Sequence, residues 1–172
     1  MEPWLIGLLV VLAAILLYFL LGVISYLLLN KQKKICDEEL AKLVDEERNR
    51  GEKVLEILDV LISKGFKFDK ESYDEIKVYK DNLEKLNSNE RYKYKSTLDF
   101  VALYLLKVNR EDKKFSKIIS PYVEELKNIR DNQEIFMSYN KKATKYNILY
   151  SMSFTRFVLL FKKDKGTNYS IY

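Results

Sequence analysis

The hydrophobic pattern of the chain begins with an uncharged apolar run from Pro3 to Leu29. A helix needs about 20 apolar residues to cross a hydrocarbon core. This run has about 27 and would span roughly 40 Å at 1.5 Å per residue. Trp4 and Tyr26 stand near its two ends, where interfacial aromatic residues are expected. The sequence therefore predicts a membrane anchor over residues 1–29, with membrane lipid as its partner.

The residues that flank the run predict its orientation. The start Met1-Glu2-Pro3 is acidic, the run is too long for a signal peptide, and no A-x-A site ends it, so we expect a retained anchor. Lys31, Lys33 and Lys34 follow the run directly, whereas only the terminal amine is basic before it. The positive-inside rule then predicts a single-pass protein of the cell membrane, with a short N-terminus outside and the body in the cytoplasm.

Beyond the anchor, apolar residues recur at steps of three and four, which is typical of helices. A first body helix is predicted from Lys31 to Ser63, continuous with the anchor and stopped at Gly65. Its middle, Asp45 to Lys53, is almost wholly polar. We expect this stretch to project free of the other helices or to fray at Gly51.

Cap signals predict the remaining helices. Asp69 is a candidate N-cap for a pattern that continues to Val108, either as two helices in line or as one kinked helix. Asn87 and Glu90 fit a capping box at the interruption. Ser120-Pro121 predicts a helix start, with the helix continuing to about Met152. The expected fold is all-α: one transmembrane helix, then an antiparallel bundle of three long helices over residues 30–152, or four if the break at Asn87 is a true turn.

The last segment, residues 153–172, is apolar and then basic. One interpretation is a second membrane contact, in which an amphipathic segment lies on the anionic inner leaflet. Its contact residues would be Phe157, Phe161, Lys162 and Lys163. The other interpretation, which we favour from sequence, is that the segment folds back to cover the end of the bundle.

The helix that follows Pro121 carries an unusual polar pattern. A heptad seam counted from Tyr122 places carboxamides seven residues apart, and tyrosines precede two of them. These polar seam positions are Gln133, Tyr139, Asn140, Tyr146 and Asn147. Three buried amides need partners from one another, from a facing helix or from water. The alternative is that the tyrosines, with Ala143 and Tyr150, face inward instead, and periodicity alone favours a structural role over a binding site.

The paired Tyr-Asn pattern, YN-x5-YN, followed by a Phe/Leu-rich segment from Phe154 to Phe161, resembles the C-terminal part of the LemA family. The layout of one N-terminal anchor and a helical cytoplasmic body is similar as well. The sequence departs from the family where Phe136 replaces an arginine, where Ser153 stands near a proline position, and in the absent Trp and Pro of the first body helix. The resemblance implies an antiparallel bundle under one anchor and no settled enzymatic activity.

The composition of the chain excludes several classes of partner and of functional site. The net charge is +5, but acidic and basic residues are interleaved, so we expect no nucleic-acid partner. The chain has no histidine, one cysteine and no glycine-rich phosphate loop, and we therefore predict no metal, no cofactor and no catalytic residues. Cys36 cannot form an internal disulfide, in agreement with a reducing compartment. It is either an inert small residue, which we favour, or a juxtamembrane palmitoylation site.

The functional hypothesis from sequence is a non-enzymatic, membrane-anchored helical module with a scaffold or protein-interaction role. Its protein partners are unknown, and a homo-oligomer is an open option. A first alternative is a coiled-coil scaffold or regulator of envelope or division, which predicts a parallel oligomer through residues 35–62. A sensor is disfavoured because the outer head is so short. An enzyme of unrecognised type would have to rely on carboxylates, lysines or tyrosines.

Overall fold

The computed structural model describes residues 2–131, 133–161 and 169–170. Within these ranges all regular elements are helical, which confirms the all-α prediction. The elements are α1 (Pro3–Ser63), α2 (Lys70–Asp81), a 3₁₀ turn (Leu83–Lys85), α3 (Ser88–Glu111), α4 (Lys113–Ile119), a second 3₁₀ turn (Ser120–Tyr122), α5 (Val123–Asp131), α6 (Glu134–Ser151) and α7 (Ser153–Leu159). Lys162 and Lys163, two of the predicted membrane-contact residues, lie outside the described residues.

The helix α1 carries the apolar run. It has 61 residues and continues through Leu29 and Lys34 without a break. Its N-terminal part is long and apolar enough to span a membrane. Every residue of α1 from Ile6 to Leu21 is exposed. The chain divides into two compact units, the first made of residues 1–39 and 139–171 and the second mainly of residues 40–138, and α1 contributes residues to both.

The second unit is built around an apolar core to which five helices contribute. In α1, Leu43, Val54, Leu58 and Leu61 are fully buried and repeat at helical spacing. One apolar cluster joins the last three of these α1 positions to residues of the other helices, among them Ile76 of α2, Leu98 and Leu105 of α3, Ile119 of α4, and Leu126 of α5. The apolar periodicity of the sequence therefore correctly predicts which positions form the core of this unit.

The polar middle of α1 is buried, contrary to the expectation that it would project or fray. Glu47 and Arg50 are both almost inaccessible to solvent, and α1 is helical through Gly51. The Arg91 guanidinium donates hydrogen bonds to the Glu47 carboxylate at 3.0 Å and to the Leu83 carbonyl oxygen at 2.6 Å. Burial raises the pKa of Glu47 to about 7, while the neighbouring Arg91 opposes that rise. Pairing across helices makes this burial of charge tolerable.

The predicted helix ends are confirmed where local chemistry sets them. Gly65 has φ +85°, in the left-handed region that favours glycine at the end of a helix. The Asp69 side chain accepts a hydrogen bond from the Ser72 N–H at 2.8 Å. Asn87 and Glu90 form the reciprocal capping box.

The structure decides one open prediction on helix continuity in favour of a turn and contradicts another. First, α2 and α3 do not follow each other in line. The Tyr79 ring of α2 lies 6.0 Å from the Tyr94 ring of α3, and Lys93 pairs with Glu75. Residues this far apart in sequence meet only if the chain turns back, so the break before Asn87 is a true turn.

Second, no single helix runs from Pro121 to Met152. The Ser120 hydroxyl donates to the Ser116 carbonyl oxygen at 2.7 Å, and Pro121 lies in a 3₁₀ turn that continues from α4. After this turn, α5 ends at Asp131, and α6 begins at Glu134. The sequence at 131–133, Asp-Asn-Gln, starts with two residue types of weak helix propensity.

Gly51 should be intolerant of any side chain. A Cβ at this position would lie 1.9 Å from the Tyr94 hydroxyl oxygen, which donates to the Glu47 carbonyl at 3.1 Å. We expect Gly51→Ala to destabilise the full chain in detergent by about 1–3 kcal/mol, as overpacked cores do, even though alanine is the better helix former. Urea unfolding followed by circular dichroism measures this change.

The matched control is Gly7→Ala, because a Cβ at Gly7 meets nothing within 4 Å. This variant should unfold no earlier than the unmodified chain. Adding Tyr94→Phe to Gly51→Ala should recover part of the loss, since it removes the atom in closest contact. Equal midpoints for the two alanine variants would show that the close packing at Gly51 is absent in solution.

Candidate functional site

The inward face of α6 is formed by its aromatic residues. Phe136, Tyr139, Ala143 and Tyr146 are buried and follow at steps of three and four. Asn140 and Asn147 are half-buried beside this face, and Gln133 is exposed just before the helix begins. Of the two arrangements left open by the sequence, the burial matches the one with inward tyrosines. Gln133 directly precedes α6, where its carbonyl oxygen accepts from the Met137 N–H at 3.0 Å, and it is exposed, so the three carboxamides do not form a buried ladder.

Asn147 holds the backbone of a segment close to the C-terminus. Its Nδ2 donates to the Tyr169 carbonyl oxygen at 2.8 Å, and its Oδ1 accepts from the Tyr169 N–H at 2.9 Å. A carboxamide offers one donor edge and one acceptor edge, so it can pair with both backbone groups of one residue as a neighbouring strand would. The Tyr139 hydroxyl adds a third bond, to the Ser170 carbonyl oxygen at 3.0 Å. We call residues 169–170 the tail, and the side chains around it, Tyr139, Tyr146, Asn147 and Asp37, the tail site.

The side chain of Tyr169 is also held by contacts with the site. Its ring meets the Tyr146 ring edge to face, with centroids 4.8 Å apart. Its hydroxyl donates a hydrogen bond to the Asp37 carboxylate and lies 3.4 Å from the Lys33 carbonyl oxygen. Burial and the bond to Asp37 raise the pKa of Tyr169, so the phenol remains a neutral donor. The site therefore recognises both peptide backbone and a phenol.

A small buried apolar cluster packs α1 against α6 and α7 next to the tail site. Cys36, Leu29, Tyr146 and Leu159 pack together there. The Gln32 Nε2 donates to the Lys142 carbonyl oxygen at 3.3 Å, which ties α1 to α6. Cys36 is fully buried, and burial raises the pKa of its thiol. A thiol in this state is a poor nucleophile, which favours the inert interpretation over palmitoylation.

The other predicted site residues lie on or near α1. Trp4, Lys31, Lys33 and Lys34 are exposed on that helix, and Tyr26 is half-buried against the cluster around Cys36. Of the predicted membrane-contact residues, Phe157 and Phe161 are exposed. Their rings lie 5.4 Å apart, and Phe157 packs edge to face on Tyr18 at 5.6 Å.

Sequence reasoning missed three residues of this arrangement: Asp37, Tyr169 and Ser170. Asp37 is one of many acidic residues on α1, and Tyr169 is one of 13 tyrosines. Composition therefore does not single out either residue as part of a site. The two Tyr-Asn pairs were the detectable signal, but periodicity cannot reveal that a distant segment supplies their partner. In the described residues no group of three His, Cys, Asp or Glu side chains is placed to hold a metal ion.

Asn147→Ala should release the tail. Losing two hydrogen bonds worth about 1 kcal/mol each predicts roughly a tenfold or greater increase in the fraction of chains with the segment detached. Carboxypeptidase treatment of the full chain, followed by mass spectrometry, measures the rate at which Ser170 and Tyr169 are removed. Asn128→Ala, at an exposed position on α5, is the control. Equal removal rates in the two variants would mean that Asn147 does not hold the tail.

The comparisons with known proteins leave the site to be interpreted from its own geometry. No protein-family model, curated protein or solved structure matches the chain. The tail site combines an amide that pairs with backbone, a hydroxyl donor, an aromatic face and a carboxylate acceptor. These groups are suited to binding an extended peptide with a tyrosine side chain.

Proposed function

We propose that the chain is a membrane-tethered helical module with a non-enzymatic protein-interaction role, and that the tail site is where it binds. The observation that carries this proposal is the pair of hydrogen bonds between the Asn147 carboxamide and the backbone of Tyr169, a residue 22 positions away. The chain's own tail fills the site in the resting state. A protein partner with a similar segment would take its place.

The site contacts the backbone of its ligand with some residues and the tyrosine side chain with others, and this supports an exchangeable ligand. The bonds from Asn147 and Tyr139 go to backbone groups, which every peptide carries. Selectivity would come from the Tyr146 ring and the Asp37 carboxylate, which together recognise a phenol. Binding an extended segment through its main chain while reading one side chain is a common mode of peptide recognition. The covalently linked tail benefits from a high effective concentration, so a partner must bind better or meet the tail when it is detached.

The proposed location and architecture follow from α1 and its flanks. The apolar part of α1 would cross the cell membrane once, and Lys31, Lys33 and Lys34 favour a cytoplasmic body. We propose an antiparallel arrangement of the long body helices, as the resemblance to the LemA family implies. The two Tyr-Asn pairs on α6, which carry that resemblance, are also the pairs that supply Tyr139 and Asn147 to the tail site.

The coiled-coil alternative has less support. A parallel oligomer through residues 35–62 needs apolar positions of α1 to face another chain. Leu43, Leu58 and Leu61 are fully buried within this chain instead. An oligomer remains compatible with the proposal if two chains exchange tails, because the tail site then accepts the same segment from a neighbour.

A peptide that corresponds to residues 166–172 should bind a chain truncated after Phe161. We expect saturable binding in fluorescence anisotropy, with weaker binding for a peptide carrying Tyr169→Phe, which loses the bond to Asp37. Asn147→Ala in the truncated chain should weaken binding roughly tenfold or more, because two hydrogen bonds of about 1 kcal/mol each are lost, and Asn128→Ala should not weaken it. The full-length chain should bind the peptide less than the truncated one, since its own tail competes. Absence of saturable binding, or binding that Asn147→Ala leaves unchanged, would contradict the proposed role.

Orientation is tested with thiols. In a Cys36→Ser background, Ser63→Cys places one thiol at an exposed position at the end of α1. A membrane-impermeant maleimide should label it only after the cells are opened if the body is cytoplasmic. The unmodified chain should label slowly in both conditions, because Cys36 is buried. Labelling of Ser63→Cys on intact cells would place the body outside and reverse the proposed orientation.

A further inference from the structure

The helix α7 packs on α1 within the apolar run. The Tyr18 ring lies edge-on to Phe154 at 6.4 Å and to Phe157 at 5.6 Å between centroids. One turn further along α1, Gly22 makes the approach possible, because a Cβ there would lie 2.5 Å from Val158 Cγ2 and 2.9 Å from the Phe154 carbonyl oxygen. A glycine at a helix–helix contact that allows backbones to approach closely is typical of packing in membranes.

Large apolar side chains of α7 and of the turn that follows it remain exposed beside this contact. Phe157 is 36% exposed, and Leu160 and Phe161, in the turn that follows α7, are 69% and 74% exposed. Exposing apolar area to water costs roughly 25 cal/mol per Å². These side chains continue the exposed apolar surface that α1 presents between Ile6 and Leu21. One solvent, the hydrocarbon of a bilayer, would cover both surfaces.

The position of α7 along α1 agrees with the edge of a bilayer. Gly22 follows Trp4 by 18 residues, which is about 27 Å at 1.5 Å per residue. A hydrocarbon core is about 30 Å thick. If Trp4 marks the outer interface, α7 therefore lies close to the inner one. Arg156, exposed on α7, is long enough to reach the headgroups from there.

A groove lies beside Phe157, along the part of α1 that precedes Gly22. Its volume is about 730 Å³, and it is lined by apolar side chains of α1 between Leu12 and Phe19 and by Phe157 of α7. Its size is within the range of ligand sites in proteins. No lining side chain is charged, and Tyr18 is the one lining residue with a polar side-chain group, so the groove suits a hydrocarbon chain.

We infer that α7 and the turn after it are a second membrane contact, and that the groove beside Phe157 is a binding site for an acyl chain of a bilayer phospholipid. This inference rests on the proposed anchor and is independent of the tail site. It makes the C-terminal apolar segment part of the membrane-embedded surface: one side packs on the anchor, and the other contacts lipid.

Quenching by brominated lipids tests this inference on the full chain. The single tryptophan is removed by Trp4→Phe, and one reporter is then introduced as Phe157→Trp or, in a second variant, Leu160→Trp. In phosphatidylcholine vesicles with bromine near the glycerol end of the acyl chain, both reporters should be quenched several-fold more than Phe100→Trp, an exposed position on α3. Bromine near the chain terminus should quench them less.

The variant Phe19→Trp, on the exposed surface of α1, separates the two possible failures. If Phe19→Trp is quenched while Phe157→Trp and Leu160→Trp behave like Phe100→Trp, the second membrane contact is wrong and the anchor stands. If Phe19→Trp is not quenched, the anchor is wrong and this inference fails with it.

Gly22→Leu tests the docking of α7, because the new side chain would occupy the space of Val158. Combined with Phe157→Trp, it should change the depth profile of quenching. Gly7→Leu, where a Cβ meets nothing within 4 Å, should leave the profile unchanged. A profile that Gly22→Leu does not alter would overturn the docking on which the groove depends.

Discussion

In each unit, the fold depends on the spacing of buried side chains along α1. In the first unit, buried positions recur at steps of three and four from Gly22 through Leu29 to Cys36. In the second unit, steps of three and four also join buried positions from Leu43 through Glu47 to Leu58, but the chemistry differs from position to position. A small residue admits α7, a carboxylate receives Arg91, and leucines fill an apolar core. Because a helix fixes the direction of each side chain, one continuous element can set the contacts of several partners.

The tail site shows how α6 uses two residue types for different tasks. Its buried tyrosines provide apolar area, and the Tyr139 hydroxyl also donates to the Ser170 carbonyl oxygen. Its half-buried Asn147 supplies the donor and acceptor edges that an extended backbone requires. Phe136 has a different environment, since the Arg50 and Lys95 cations lie 5.3 and 4.6 Å from its ring centroid. The Phe136 ring thus accepts two cations in cation–π contacts.

The features that sequence reasoning could predict are those set by neighbours in the chain. Gly65, Asp69 and the Asn87–Glu90 box act within one turn, so their roles can be derived from residue type and spacing. Burial of Glu47 and Arg91 could not be derived this way, because each is tolerable only through the other, 44 residues apart. The same limit applies to the tail site: the Tyr-Asn pairs mark α6, but Tyr169 and Asp37 meet only in three dimensions. Pairing between polar groups that are distant in the chain therefore cannot be predicted from one sequence.

The packing of α7 also accounts for the length of the apolar run. About 27 uncharged residues are more than a bilayer requires of a single helix. From Trp4 to Leu21 the side chains of α1 face outward almost throughout, and this stretch alone matches the hydrocarbon thickness. From Gly22 to Leu29 one face turns inward, beginning at the glycine under α7, while Ile24, Leu27 and Leu28 remain exposed. The final turns of the run are apolar for two reasons at once: one face packs against protein, and the other lies where the proposed bilayer ends.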